Sequence, residues 1–379
     1  MARKTLKLLL AAMILSVNAG CWDAVNIEDR DISTAVVVDY RDGEYAFYVE
    51  VASITSNLKN MKSEDGNPQG TDTDIVMASG KSFAEARINL DKELNKPIFL
   101  GAVQALIMTE GLAEQGITEY AFRMRQMVDY RKTMDVIVIT CSPEEFLNVI
   151  PVNESTVGFA VEDTLQSMIN QGATFHMSLA DLLEQLVSKN PCYLISTLSI
   201  VNDKVTLTGY TIFTDGRRQS FIPYDQSRGI IYFLGTRSTP EFDYVVPVDG
   251  GHVTMGAKLT KLKITPDYQD GEVSFAVSAA FKVKTLYPSS IESIRPDIQE
   301  VIRQGLMQQI VDDFSQTILT SQEYGDYLSF SEAFRIRYPD EYEQLAWEDA
   351  YKKAEFSISV SVEIQQNESV DYDPKLEGK

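Results

Sequence analysis

The thiol and imidazole side chains of this chain are few, and their spacing decides which chemistry is open to it. The cysteines are Cys21, Cys141 and Cys192, and the histidines are His176 and His252. No Cys-x-x-Cys pair and no cysteine–histidine cluster occurs, so the sequence offers no ligand set typical of a zinc or iron–sulfur centre. We expect the two histidines, 76 residues apart, to be surface or turn residues, and we expect neither a metal nor a cofactor.

Catalytic motifs are also missing from the sequence. No Gly-x-Ser-x-Gly elbow and no His-Glu-x-x-His motif occurs. Gly80-Lys81-Ser82 resembles the end of a phosphate-binding loop, but the earlier glycine of that motif would fall at Ile75, so Ser82 is better explained as a helix cap. The acidic pairs Asp312-Asp313 and Glu144-Glu145 could exchange protons, but neighbours of this kind arise by chance among 55 acidic residues. The sequence therefore predicts a protein without enzymatic activity.

Cys21 is the one cysteine to which the sequence assigns a chemical role, because the residues before it look like an export signal. A basic beginning is followed by ten mostly apolar residues, 8–17. Ten helical residues rise about 15 Å, which is too short to cross a bilayer core of about 30 Å. An apolar run of this length is typical of a signal peptide. Small residues lead into Cys21 as in a bacterial lipobox, where the cysteine thiol is diacylated and becomes the mature N-terminus, although Asn18 departs from that pattern. The alternative is an ordinary secretory signal with an incidental cysteine.

Trp22 and Asp23 follow the predicted lipidation site directly. The indole of Trp22 could lie at the membrane interface, where such rings are favoured, or it could pack the tether onto the first domain. Both arrangements keep the folded body close to the membrane. The sequence alone does not separate them.

The charge of the chain excludes two kinds of partner. The formal net charge is −21, and removal of the basic residues Arg3, Lys4 and Lys7 with the signal lowers it to −24. Nucleic acids need basic surfaces, so we expect no nucleic-acid binding. An anionic lipid surface would repel the same body, so a membrane role requires the lipid anchor.

Cys141 and Cys192 follow apolar or small residues, in VIVITC and NPCYL. An exported protein could join them in a disulfide, and the sequence cannot say whether they meet. We favour the interpretation that both are buried free thiols.

The pattern of elements predicts an α+β protein with mixed or antiparallel sheets and packed helices. ISTAVVVDY and YAFYVEVASI read as a hairpin around Asp42-Gly43, Ser82 with Glu85 begins a helix to about residue 95, and IFLGAVQALIMT reads as a buried strand. Residues 60–73 read as a loop. Further helices are expected near 118–128, 157–170 and 178–188, with a short one after Ser142 and another in DQSRGIIYFLG.

The second half of the chain has the clearest periodicity. Short strands with turns at Asn202-Asp203 and Asp215-Gly216 are followed by FDYVVPVDGG, which we interpret as a linker. Alternation over 272–284 and again over 356–364 predicts sheet strands, with HVTMGAKLTKLKIT as a partner. Apolar residues recurring every four positions predict one long helix across one face of an antiparallel sheet: Ile298, Ile302, Leu306, Ile310, Phe314 and Ile318.

Several motifs in order resemble the C subunit of bacterial spore germinant receptors, the GerAC-like Ger(x)C lipoproteins. They are Cys21-Trp22-Asp23, ASGKSFAEARINLDKELNKPIFLGAVQALIMTEGLAEQGI, LTGYTIFTDGRRQSFIPYDQSRGIIYFLG, and a C-terminal stretch with Asp326, Phe330 and Trp347 at the expected spacing. The resemblance implies a three-domain α+β fold and a lipoprotein without enzymatic activity on the outer surface of the spore inner membrane. It also implies two integral-membrane partner subunits, one A-type and one transporter-like B-type.

We therefore predict a germinant-receptor C subunit that supports assembly and response during spore germination, with a stand-alone solute-binding lipoprotein as the alternative. A lipid-anchored hydrolase is a third reading, disfavoured by the missing motifs. Whether the subunit contacts the germinant stays open. The predicted boundaries are a signal peptide at 1–20, a tether at 21–31, an N-terminal α+β domain at 32–192, a β-rich middle domain at 193–250, a C-terminal α+β domain at 251–370 and a polar tail at 371–379.

Overall fold

A computed structural model describes residues 26–52, 73–127, 130–150, 154–189, 191–235, 239–248, 251–288 and 296–365. The predicted signal peptide, Cys21, Trp22, Asp23, most of the predicted loop at 60–73 and the predicted tail lie outside these ranges.

Two sheets organise the described residues. The strands are β1 (Asp31–Arg41), β2 (Glu44–Ala52), β3 (Thr73–Gly80), β4 (Ile98–Phe99), β5 (Ala105–Thr109), β6 (Asp135–Ile139), β7 (Cys192–Val201), β8 (Lys204–Thr214), β9 (Arg217–Pro223), β10 (Glu241–Val248), β11 (Gly251–Gln269), β12 (Glu272–Pro288) and β13 (Glu355–Gln365). The first sheet runs β3-β2-β1-β5-β6-β7-β8-β9, with β4 beside β1, and the second runs β10-β11-β12-β13. The first sheet has parallel strands at its centre and antiparallel hairpins at both sides.

Tight hairpins are set by residues that tolerate positive φ. Asp42 and Gly43 have φ values of 55° and 84°, and Arg41 pairs with Glu44 across the turn. Such a turn matches the twist of the flanking strands, which is why Asp-Gly favours it. The hairpin predicted from ISTAVVVDY and YAFYVEVASI is confirmed, and the turns at Asn202-Asp203 and Asp215-Gly216 are confirmed in the same way.

Helices cover the sheets. They are α1 (Phe83–Glu93), α2 (Glu110–Gln115), α3 (Thr118–Gln126), α4 (Pro143–Leu147), α5 (Val157–Asn170), α6 (Leu179–Gln185), α7 (Arg228–Leu234), α8 (Pro296–Tyr324), α9 (Phe330–Arg337), α10 (Pro339–Gln344) and α11 (Trp347–Lys353). Side chains cap them as the sequence predicts: Ser82 accepts a hydrogen bond from Glu85 N, and Ser142 from Glu145 N.

Both faces of the first sheet are buried. Val36 and Val38 of β1 point into a core with α1, α2, α3 and α6, while Ala35 and Val37 point into a second core with α4 and α5. That second core continues without a break into the space between α8 and the second sheet. The two sheets therefore share one apolar interior.

The long helix α8 lies on the second sheet as its four-residue periodicity predicts. Ile302, Leu306, Ile310, Phe314 and Ile318 are each at most 2% exposed. The side chain of Ile298 lies outside the described part. Burial of these faces removes apolar surface from water, which is the main force holding the helix on the sheet.

Three predictions about elements need correction. FDYVVPVDGG is not a linker, because Glu241–Val248 forms β10 and pairs with β11. IFLGAVQALIMT is not one strand, because a turn at Gly101 separates β4 from β5. The last strand, β13, is parallel to β12, so the second sheet is mixed. Helices α2, α9, α10 and α11 were not predicted.

The predicted domain boundaries stay a prediction. Strands of the predicted middle domain are divided between the sheets, since β7, β8 and β9 extend the first and β10 is an edge of the second. Within the described ranges, no helix is long and apolar enough to cross a bilayer.

Candidate functional site

A cavity of about 240 Å³ opens where the first sheet meets the C-terminal helices. One wall comes from the ends of β7, β8 and β9, and the other from the end of α8 and from α11. Its lining residues are Cys192, Thr214, Gln219, Glu323, Tyr324, Gly325, Asp326, Trp347, Glu348, Tyr351 and Lys352. We call this the junction cleft.

Asp326 holds the helical wall of the junction cleft together. Its carboxylate accepts hydrogen bonds from Phe330 N at 2.8 Å, Ser331 N at 2.6 Å and Trp347 Nε1 at 3.2 Å. The two backbone donors lie at the start of α9, where a carboxylate satisfies unpaired N–H groups. Burial raises the pKa of Asp326 to about 6, although its hydrogen-bond donors oppose that rise. The carboxylate therefore joins α9 to α11.

Gly325 lets the two walls approach closely. It has a φ of +129°, and a Cβ added there would lie 2.7 Å from Sγ of Cys192. Any larger residue would push the end of α8 away from β7. Thr214 Oγ1 spans the same gap with a hydrogen bond of 3.0 Å to Tyr324 O.

The thiol of Cys192 is structural. Burial raises its pKa to about 12, so the thiol is protonated at neutral pH, as in buried cysteines that pack within a fold. Cys141 is half-buried, and burial raises its pKa as well. Both thiols are free, as we favoured from the sequence, and they form no disulfide.

A second polar network joins α7, β10 and α8 through Asp313, a member of the acidic pair Asp312-Asp313. Tyr244 OH on β10 donates a hydrogen bond of 2.6 Å to Asp313 on α8, and lies 3.1 Å from Tyr232 OH on α7. The guanidinium of Arg228 lies 4.8 Å from the centre of the Tyr244 ring. Burial raises the pKa of Asp313. This carboxylate is thus engaged in joining α7, β10 and α8.

The histidines lie apart from both networks. His176 is more enclosed than the expected surface position, because its Nδ1 lies 2.7 Å from Asp135 Oδ1 and its side chain is 17% exposed. His252 lies on β11, opposite Pro247. No group of three or more histidine, cysteine or acidic residues in the described ranges is placed to hold a metal ion.

The predicted lipidation and tether residues Cys21, Trp22 and Asp23 lie outside the described residues. The described chain enters the fold beside α1, where Lys96 Nζ donates a hydrogen bond of 2.5 Å to Glu28 O and Lys96 N donates one of 3.1 Å to Asp31. These contacts attach the start of β1 to the residues before β4.

The junction cleft was not predicted from the sequence. One available signal was the spacing of Asp326, Phe330 and Trp347, which supported the resemblance and which the structure brings into contact. The other wall comes from residues more than 100 positions away, and local patterns carry no information about it.

Comparisons with known proteins agree in both halves of the chain. Residues 23–200 match the family described as the spore germination protein N-terminal domain, and residues 208–368 match spore germination B3/GerAC like, C-terminal. The chain is 20% identical to YfkR of Bacillus subtilis (strain 168), over 96% of this chain and 97% of the relative. It is 19% identical to spore germination protein KC of the same strain, over 96% of this chain and 95% of the relative.

A solved structure shares the fold. The crystal structure of the GerBC protein superposes with a TM-score of 0.52 and 13% identity, covering 89% of this chain and 99% of that one. This likeness confirms the expected α+β architecture.

Proposed function

The chain belongs to the GerAC-like family of spore germination proteins, and on that basis we propose that it is a lipoprotein subunit of a nutrient germinant receptor. In this role it has no enzymatic activity. It lies on the outer surface of the spore inner membrane and supports assembly of the receptor with two integral-membrane subunits, one A-type and one transporter-like B-type. The observation that carries the proposal is the match of both halves of the chain, together spanning residues 23–368.

The lipid anchor on Cys21 is part of this proposal. Two acyl chains bind stably to a bilayer because each buried methylene contributes about 0.8 kcal/mol. An anchor is needed, because a body whose net charge is −21 − 3 = −24 once the signal with Arg3, Lys4 and Lys7 is removed is repelled by anionic lipid.

Anchoring also explains how a binding protein of this kind acts. Confinement to a thin layer above the bilayer raises the effective concentration of any partner in the same membrane, so a weak contact becomes well populated. The folded body, whose two sheets share one apolar core, then presents its surface to those partners.

Co-purification tests the proposal. The full chain is expressed in membranes with two candidate integral subunits, the membranes are solubilised in mild detergent, and the chain is captured. We expect both subunits to be retained, and we expect their abundance to fall when this chain is deleted. Capture of the chain alone, with unchanged partner abundance on deletion, would contradict the assembly role.

The junction cleft favours a second candidate function, which is capture of a small nutrient between the first sheet and the C-terminal helices. Its rim carries both acidic and basic groups, Glu323, Glu348 and Lys352, that could bind a small charged solute. Calorimetry of the chain against small nutrients distinguishes the two functions. Tight binding by a chain that purifies alone would replace assembly with solute capture.

A further inference from the structure

The described chain enters the fold just before β1, and hydrogen bonds hold this point to the body. Asp31 N donates a hydrogen bond of 3.1 Å to Pro97 O, and Asp29 N donates one of 3.1 Å to Asn26 O in the turn before the strand. The folded body therefore begins at Asn26, five residues after the proposed lipid anchor on Cys21.

The distance between Cys21 and Asn26 limits the gap between the body and the bilayer. A chain in any conformation spans at most about 3.6 Å per residue, so the five steps between these residues reach at most about 18 Å. Strand β1 has 11 residues and is roughly 36 Å long. The start of β1 is therefore held near the bilayer by a tether about half as long as the strand itself. This step rests on the proposed function, because it takes Cys21 as the anchored residue.

Parallel pairing places the starts of several strands at the edge of the first sheet where the chain enters. Asp31 of β1 pairs with Ile98 of β4, and Ala35 pairs with Ala105 of β5, which pairs with Asp135 of β6. We call this the near edge, and it comprises residues 26–31, 95–104 and 130–134. The opposite ends of β1, β3, β5 and β6 form the far edge, which comprises residues 41–44, 80–85, 109–110 and 140–145. The tether thus leaves the sheet at its near edge.

The two edges differ in charge. The near edge carries three carboxylates and four basic side chains: Glu28, Asp29, Asp31, Arg30, Lys96, Arg131 and Lys132. The far edge carries two basic side chains, Arg41 and Lys81, and six carboxylates: Asp42, Glu44, Glu85, Glu110, Glu144 and Glu145. An anionic bilayer therefore repels the far edge more strongly than the near edge. Charge and tether length favour the same orientation.

We propose that the near edge is the surface of this protein that faces the lipid bilayer, and that the far edge points away from it. The partner of this surface is the lipid headgroup layer rather than another folded domain. A gap of at most about 18 Å is too narrow for a domain of 100 residues, whose radius of gyration alone is about 13 Å. Ile27, which is 54% exposed beside the tether, adds an apolar side chain that can enter the interface.

Energy transfer from labelled cysteines to acceptors on lipid headgroups tests this inference in the full, lipidated chain. The chain is purified with its anchor and reconstituted in phosphatidylcholine vesicles. Cys141→Ala removes the half-buried thiol, whereas Cys192 is buried and protonated, so the chain with this one change should take up no label and is the control. Thr133→Cys then adds a single label to the near edge and Lys81→Cys adds one to the far edge, both at exposed positions.

Strand register sets the distances that we expect. Thr133 is level with Ser33 of β1, whereas Gly80, next to Lys81, is level with Tyr40. The two labels therefore differ by about seven residues along the strands, or roughly 23 Å. With the tether near its full reach they lie roughly 25 and 48 Å from the acceptors. Transfer to a layer of acceptors falls with the fourth power of the distance, so we expect about tenfold faster transfer from Thr133→Cys than from Lys81→Cys at these strand spacings.

A third label separates failure of the orientation from failure of the anchor. Asn95→Cys lies beside the tether, so an anchored chain should show fast transfer from it in any orientation of the body, and all three variants should melt with the control. Fast transfer from Asn95→Cys with equal transfer from Thr133→Cys and Lys81→Cys overturns the inference while the anchor stands. A chain that leaves the vesicles, or shows no transfer from Asn95→Cys, overturns the anchor and the orientation together. A difference between the two edges that arises only after the integral subunits are added overturns the inference in favour of orientation by protein.

Discussion

The indole nitrogen of Trp347 donates a hydrogen bond of 3.2 Å to the carboxylate of Asp326, which lies 21 residues earlier in the chain. The bond crosses the helical wall of the junction cleft, where Asp326 is 9% exposed and Trp347 is 3% exposed. A buried carboxylate is expensive unless donors surround it, and here the donors come from α9 and α11, which also pack together through the rings of Phe334 and Trp347, 5.3 Å apart. Ionisation of Asp326 therefore acts directly at the contact between these two helices.

Asp326 should make the stability of the protein depend on pH in a direction unusual for an aspartate. Its pKa rises from 3.8 to about 6 on folding, so the folded chain binds more protons than the unfolded chain between these values. The ionised carboxylate therefore costs stability above pH 6, and this cost disappears as the pH falls towards 4, by up to about 3 kcal/mol. Urea denaturation of the unchanged chain and of Asp326→Asn should give a free-energy difference that shifts in favour of the unchanged chain as the pH falls. Other buried carboxylates, such as Glu50, contribute equally to both proteins. A difference independent of pH between 4 and 7 would contradict the assignment.

Close helix contacts should reverse the usual effect of replacing a helical glycine by alanine. Gly229 lies in α7, and a Cβ there would meet Thr317 Oγ1 at 2.3 Å and the backbone oxygen of Asp313 at 2.5 Å. Gly305 lies in α8, and its Cβ would meet only a methyl group of Val246 at 2.9 Å. Helix propensity alone favours alanine at both sites by about 1 kcal/mol. We expect Gly229→Ala to lower the melting temperature and Gly305→Ala to leave it unchanged or raise it. Equal effects would show that α7 does not lie against α8 as described.

Val49 and Glu50, which are both buried, show how far the sequence predicts this fold. The alternation in YAFYVEVASI predicts the strand and its turn correctly, but it carries no sign that Glu50 is buried. In the structure Glu50 is fully buried, and its carboxylate accepts hydrogen bonds from Val157 N at 2.7 Å and Gly158 N at 3.1 Å. The start of α5 therefore takes the place of solvent, at a distance of 107 residues along the chain. Local periodicity predicts elements because it depends on neighbours in sequence, and it misses the junction cleft and this buried carboxylate because both depend on distant segments.

The buried face of α8 predicts that an aspartate substitution lowers the stability strongly at one residue and hardly at all at its neighbour. Ile302 is 1% exposed against the second sheet, whereas Val301 is 55% exposed. Ile302→Asp would bury an unpaired carboxylate and lower the free energy of unfolding by several kcal/mol, comparable with the whole stability of a domain. Val301→Asp places the same group in water and should change the stability by less than about 0.5 kcal/mol. Denaturation curves of the two full-length variants check this, and equal stabilities would mean that the helix face is assigned wrongly.

The last prediction concerns the anchor on which the proposed function depends. If Cys21 is diacylated, mass spectrometry of the membrane-purified protein should find residues 1–20 removed and a lipid mass on Cys21. Replacing residues 1–20 by an ordinary secretory leader, together with Cys21→Ala, should move the body to the soluble extracytoplasmic fraction, because its negative charge gives it no attraction to an anionic surface. Cys141→Ala behind the original leader is the control, and it should stay with the membrane, since that thiol belongs to the folded body. The released body should also lose its integral partners, because a weak contact is well populated only while both partners are held in one membrane. An unmodified Cys21, or a mature chain that begins elsewhere, would remove the anchor and with it the reason to expect that weak contacts suffice.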